Sequence, residues 1–243
     1  MSITILVQSA IPPSSPLPQK TFKTWYETVH IPDLLALPDR KVPAAARYVR
    51  SDTDELHPSD SKSGFPFLAI YPNLSAEWLR SESCEFLKVP LHSEILPRGE
   101  KGEEGYILDM LDIEMGGYEV VLSVILGGVV GEARCVVVVP VGEETVKEMG
   151  EDEDDGASVV LESAKMMGVQ GNVQSVIMRY EYSPMGAGSK EEEGKEGLFV
   201  GGKYLVLHQL ESPPTEVGEQ WGEKPLVYTL IRNFGDVKGA LLV

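Results

Sequence analysis

Trp25, Tyr26 and His30 stand together in the stretch Phe22-Lys23-Thr24-Trp25-Tyr26-Glu27-Thr28-Val29-His30-Ile31-Pro32-Asp33. On a helix, residues four apart lie one above the other, so Tyr26 and His30 share a face and Trp25 flanks them. Such a face holds a flat organic molecule against a titratable ring, and imidazole is the side chain whose unperturbed pKa falls close to neutrality. The chemistry on offer is proton transfer, with His30 as general acid and base and Tyr26 as its partner or as the donor that holds an oxygen. The same residues also suit a core-facing aromatic helix, whose histidine bonds a carbonyl near the break that Pro32 imposes. Residue types alone leave both readings open.

Other reactive groupings are weaker. The four histidines are His30, His57, His92 and His208; none pair four apart, and no metal-binding face is expected. His57 lies in a polar stretch and reads as solvated, whereas His92 follows the second expected helix and is placed to reach the mouth of a pocket. His208 shares a strand face with Tyr204 and Val206, as either a satisfied core group or a cavity-lining one. Arg47, in a strand that should be buried, wants a carboxylate partner. Asp109 and Asp112 are expected on opposite faces of a strand, which is no arrangement for a catalytic carboxylate pair. The segment 197–203 approaches a phosphate-loop pattern, but Tyr204 stands where a hydroxyl should hold magnesium and a strand follows where a helix is needed. No glycine turn suits a dinucleotide, no Gly-x-Ser-x-Gly elbow marks a serine nucleophile, and no cofactor is expected.

The elements that must position these residues can be read from periodicity. Strands are expected at 3–10, 46–50, 67–71 and 108–113, with helices at 21–37 and 75–87, which is the β-α-β-β-α-β order of a ferredoxin-like unit. A second set follows: a β-branched strand at 135–141, a helix at 158–167, and strands at 175–182, 204–210 and 226–233. Each half carries a polar insertion between its second and third strands, at 52–64 and 184–197. Laying 68–71 over 205–208 sets His208 where the first half has Tyr71. The run 118–125 extends the last strand of the first half or forms an edge beside it. The halves divide into 1–126 and 127–243, with the aromatic motif only in the first, where the second has the acidic stretch 143–155.

The pattern Phe22, Trp25-Tyr26, His30-Ile31-Pro32-Asp33, followed by Ala46-Arg47-Tyr48, resembles the EthD-like branch of the dimeric α/β-barrel superfamily, in the versions found in fungal natural-product pathways. The resemblance covers the first half well and the second in outline. It implies an α+β fold in which two ferredoxin-like repeats pack sheet to sheet, here as an intrachain dimeric α/β barrel, with the ligand between helix and sheet. The class it implies is a cofactor-independent enzyme on a hydrophobic, aromatic or polyketide-derived molecule, catalysing cyclisation, dehydration, decarboxylation or isomerisation. His30 and Tyr26 would be catalytic, and Trp25, Tyr48, Tyr71, His92 and His208 would shape the substrate pocket. Cofactor-free oxygenation of a phenol, ligand binding without turnover, and heme held by His30 or His208 are the alternatives.

Composition narrows the partners. A formal charge of -17 in 243 residues and a pI near 4.6 repel phosphate backbones and anionic membrane surfaces, so no nucleic acid and no membrane partner is expected. The two cysteines, Cys84 and Cys135, suggest neither a disulfide framework nor a thiolate zinc site and fit a reducing cytoplasm. The first residues read as a strand and not as a secretory signal, and no apolar run reaches membrane-spanning length. A homodimer, with each half pairing across chains, is the alternative to closure within one chain.

Overall fold

The β-branched and aromatic runs form strands, and in the computed structural model eight of them close into a barrel. The structure describes residues 1–51, 65–86, 88, 89, 91–98, 102, 104–126, 134–141, 173–182, 204–211, 214 and 226–235. The barrel strands are β1 (Ser2–Ala10), β2 (Ala44–Arg50), β3 (Phe67–Ser75), β6 (Asp112–Leu126), β7 (Cys135–Val141), β8 (Val173–Tyr182), β9 (Tyr204–Leu210) and β10 (Leu226–Gly235). A two-stranded ribbon, β4 (His92–Ser93) with β5 (Gly105–Tyr106), lies outside it. The order around the barrel is β1-β3-β2-β10-β7-β9-β8-β6, and every adjacent pair is antiparallel. Read from β6, that order is β6-β1-β3-β2 followed by β10-β7-β9-β8.

Two seams join these quartets. The long strand β6 pairs with β1 through Asp112 to Tyr118 and with β8 through Gly117 to Leu126, with register shifts at Gly117/Tyr118 and Val120/Leu122. β10 meets β2 with a further shift between Leu230 and Arg232. Such irregularities sharpen the local twist, which a sheet needs in order to curl shut. Gly116 belongs to this bend: a Cβ there would stand 2.6 Å from the Tyr118 ring.

Strand alternation sorts the side chains into three clusters. Leu6, Ala46, Tyr48, Leu68, Ile70, Tyr118, Val136, Met178, Leu205 and Tyr228 belong to one cluster drawn from every barrel strand, which is the barrel interior. Their neighbours Ile5, Val7, Ala45, Ala69 and Tyr71 point outward beneath the first helix. On the second quartet the outward residues Cys135, Val137, Val139, Ile177, Val206 and Leu210 form the third cluster.

The helix over the first quartet runs as α1 (Gln19–Trp25), a π-turn (Tyr26–His30) and α2 (Ile31–Leu35). Pro32 explains the π-turn: it has no N–H for the Thr28 carbonyl and its ring crowds that carbonyl, so the chain widens and the Ile31 N–H reaches back five residues to Tyr26 O. Phe22, Trp25, Tyr26, Ile31 and Leu34 form its buried face.

Two expectations need correction. The second helix is only α3, Ala76–Arg80: Ser75 caps it at the Trp78 N–H, and the Ser81 hydroxyl takes the Trp78 carbonyl at 2.6 Å, competing with further helix. The strand expected at 108–113 starts at Asp112 and absorbs 118–125, since Ile107–Asp109 is a 3₁₀ turn whose neighbours Met110 and Leu111 bury without pleated alternation. Asp109 is therefore on no strand. The expected helix 158–167, the insertions 52–64 and 184–197, the acidic stretch and the glycine-rich segment 197–203 lie outside the described residues. No described helix is long and apolar enough to cross a membrane.

Candidate functional site

A cavity opens between the π-turn and the outward face of β1, β3 and β6. It has ≈ 580 Å³ of non-atom space, counted out to the solvent at its mouth. Trp25, Tyr26 and His30 line it from the helix, Val7 and Ser9 from β1, Tyr71 from β3, and Ile113 and Met115 from β6. Phe86, Leu91, Ile107, Leu108 and Leu111 close the remaining side. The ribbon and the 3₁₀ turn hold that wall, with the Ile107 N–H donating to Leu91 O at 3.0 Å.

The π-turn decides how the rings meet. A reach of five residues brings Trp25 and His30 into register, and their rings stack at 4.8 Å between centroids with 19° between planes. Tyr26 meets that stack edge-on, 5.2 Å from His30 and 5.6 Å from Trp25. The expected arrangement, Tyr26 above His30 with Trp25 to the side, is thus altered by one position. Across the cavity, the Tyr26 and Tyr71 hydroxyls are 3.1 Å apart and hydrogen-bonded. Tyr71 is held in turn by edge contact with Phe86, at 5.3 Å and 88°.

Behind Tyr26 lies Arg47, 2% exposed, on the outward face of β2. The carboxylate it needs is Glu27, on the π-turn itself: Arg47 Nη1 donates to Glu27 Oε1 at 2.5 Å, and Arg232 approaches the other oxygen at 3.7 Å. The guanidinium lies 5.4–5.5 Å from the Phe22, Tyr26 and Phe67 ring centroids. Helix and sheet are clamped by this pair, and the attraction of a cation for ring faces adds to it.

The site is electrically neutral near pH 7. Burial pushes the His30 imidazole down to about 4, and the residue is partly buried with its Nδ1 shielded from solvent and without a hydrogen-bond partner. Tyr26 is raised by burial, opposed by its bond to Tyr71 and by Arg47; Tyr71 is raised further, by burial and by Tyr26 beside it. In the phenol pair one O–H is used between the two rings, which leaves the other O–H free to donate. Trp25 Nε1 is likewise shielded and has no hydrogen-bond partner. Among the described residues, no group of histidine, cysteine and carboxylate side chains could hold a metal.

The structure therefore gathers Trp25, Tyr26, His30 and Tyr71 around one cavity and sets three other candidates elsewhere. Tyr48 points into the barrel, where its buried hydroxyl has no partner. His92 is exposed and stacks on Tyr106 at 4.7 Å; its neighbour Leu91 reaches the cavity instead. His208 is fully buried on the outward side of the second quartet, its Nδ1 2.7 Å from Ser175 Oγ across the strand pair, and burial lowers it to about 3. Sequence reasoning missed Ser9, Ile113 and Met115, although the alternation of β1 and β6 groups Ser9 with Val7 and Ile113 with Met115.

No protein-family model matches the chain, and no curated protein matches it. Among solved structures, a "putative monooxygenase" from Fusobacterium nucleatum subsp. nucleatum is similar with a TM-score of 0.44 and 6% identity, over 98% of this chain and 96% of that one. A mutant chlorite dismutase from Candidatus Nitrospira defluvii, in complex with cyanide, gives a TM-score of 0.37 at 6% identity, over 95% of this chain and 90% of that one. Both are similarities of outline.

Proposed function

We propose that this chain is a cofactor-independent acid/base enzyme acting on a hydrophobic small molecule, an aromatic or polyketide-derived intermediate, in the cavity beneath the π-turn. The observation that carries the reading is the gathering of Trp25, Tyr26, His30 and Tyr71 around one apolar space. The resemblance of the Trp-Tyr and His-Ile-Pro-Asp motif to EthD-like proteins supports it. A neutral His30 takes a proton from carbon next to a carbonyl, the free O–H of the phenol pair holds the oxygen on which charge develops, and the imidazolium returns the proton at another position. Negative charge forming beside His30 raises its affinity for that proton, which offsets the lowering by burial. Proton shuttling of this kind serves cyclisation, dehydration, decarboxylation or isomerisation.

We infer further that the chain is two ferredoxin-like repeats, 1–126 and 127–243. The support is the strand order: β6-β1-β3-β2 and β10-β7-β9-β8 are each fourth, first, third, second strand of a βαββαβ unit. The barrel then closes within one chain, and the site belongs wholly to the first repeat.

One observation favours a second reading, binding without turnover. A base held at about 4 is far from the working pH that favours general catalysis. Incubating the protein with a panel of aromatic polyketone substrates, with and without oxygen, and comparing it with His30→Phe separates the cases. Oxygen-independent turnover lost in the variant supports the enzyme; oxygen-dependent turnover means oxygenation; binding with no turnover in either protein means a ligand carrier.

A further inference from the structure

The cavity has one polar side chain that the protein leaves unused. Its lining carries polar side-chain atoms on Ser9, Trp25, Tyr26, His30 and Tyr71. Trp25 Nε1 and His30 Nδ1 are sealed from solvent, and the two phenols bond each other. Ser9 differs from all of these. It shares the outward face of β1 with Val7, lies between Phe67 of β3 and Ile113 of β6 in the ladder, and is 3% exposed. Among the described residues nothing hydrogen-bonds the Ser9 hydroxyl, yet it is not one of the sealed atoms. A serine side chain reaches only one atom past Cβ, and a strand flanks it on either side, so the surface it keeps is surface it gives to the cavity. The floor around it is apolar, built from Val7, Ile113 and Met115. Buried polar groups are nearly always paired, and an unpaired one is costly until a ligand or water completes it. Alanine would fill the same position without that cost, so small size is no reason for a serine here. From the helix side come the stacked rings of Trp25 and His30. A planar guest held by ring contact alone can turn in its own plane, and a hydrogen bond to the floor stops that rotation.

We propose that Ser9 orients the ligand: its hydroxyl bonds an oxygen carried on the edge of an aromatic ring, a phenolic hydroxyl or a ring ketone, and fixes which edge rests on the sheet. This rests on the small-molecule reading above and adds to it a specificity-determining residue on β1, outside the aromatic helix.

The test is an NMR titration of the full chain, labelled at its methionine methyls, with phenol and toluene as probes of equal heavy-atom count that differ only in hydroxyl against methyl. The chain has eight methionines, and the Met115 methyl is assigned by its loss in Met115→Leu. The expected result is that both probes move the Met115 methyl of the unsubstituted protein, and that Ser9→Ala weakens phenol by about fivefold, the worth of one neutral hydrogen bond, while leaving toluene unchanged. Retained toluene binding shows at the same time that the variant's cavity is intact. If Ser9→Ala leaves phenol unaffected, or weakens phenol and toluene alike, the inference is overturned while the small-molecule site stands. If neither probe moves the Met115 methyl of the unsubstituted protein at millimolar concentration, the site reading fails and this inference fails with it.

Discussion

Replacing His30 with Phe tests both the chemistry and the packing of the site. His30 stacks on Trp25 at 4.8 Å, and its shielded Nδ1 bonds nothing. Phe retains the stack and the volume, and it strands no carbonyl, because none is paired with that nitrogen. A histidine satisfied by a core carbonyl would instead cost about 1–3 kcal/mol on removal. The expected change in stability is therefore less than about 1 kcal/mol, or a melting shift within about 4 °C for a chain of this size. Its direction is towards gain, since a shielded polar nitrogen is replaced by carbon. Activity should fall by roughly 10²–10⁴, the range attributed to a positioned proton-transfer group. Differential scanning calorimetry and turnover on the same preparation read both quantities. A variant that melts well below this range yet keeps its specific activity would show that His30 serves packing and transfers no proton.

Acid should separate the same two proteins further. His30 binds its proton near 4 when folded and near 6.5 when unfolded, so the unfolded chain holds the extra proton between those values and stability falls as pH drops from about 6.5 to about 4. His30→Phe lacks that term, so its stability relative to the unsubstituted protein should rise on acidification across that window, as measured by urea unfolding. Glu27→Gln leaves the buried Arg47 without its carboxylate and should cost about 3–5 kcal/mol in the same assay, whereas Arg47→Met, which removes the charge and fills the space, should cost less. The cycle of Tyr26→Phe, Tyr71→Phe and the double variant should give a coupling of about 0.5–1.5 kcal/mol, the net worth of their hydrogen bond; additive losses would mean the hydroxyls do not pair in solution.

What could be read from the residues was local. The β-branched run Cys135–Val141 and the strand Tyr204–Leu210 declare themselves because each is extended and buried on both sides. The helix that carries the candidate site was equally legible from its aromatic spacing. Its π-turn was not: Pro32 announces a disturbance, but whether the chain kinks, stops or widens by a residue depends on what packs beneath it. That choice sets Trp25, and not Tyr26, flat against His30. Alternation puts Tyr48 with Arg50 and Tyr71 with Ala69 but does not say which group turns inward, because the inward face exists only once both quartets close the barrel. The meeting of Tyr26 and Tyr71 likewise depends on β3 lying between β1 and β2, a long-range pairing with no local mark. The short α3 was misread because Ser75 announces a helix start clearly, while the stop at Ser81 rests on a side-chain bond that periodicity does not record.

A small molecule should bind beneath the π-turn and not inside the barrel. A crystal structure of the protein soaked with an aromatic ketone shows which. The expected result is ligand density bounded by Trp25, His30, Tyr71 and Met115. Density inside the barrel against Tyr48 and Tyr118, or an empty cavity beside a bound ligand elsewhere, would contradict it.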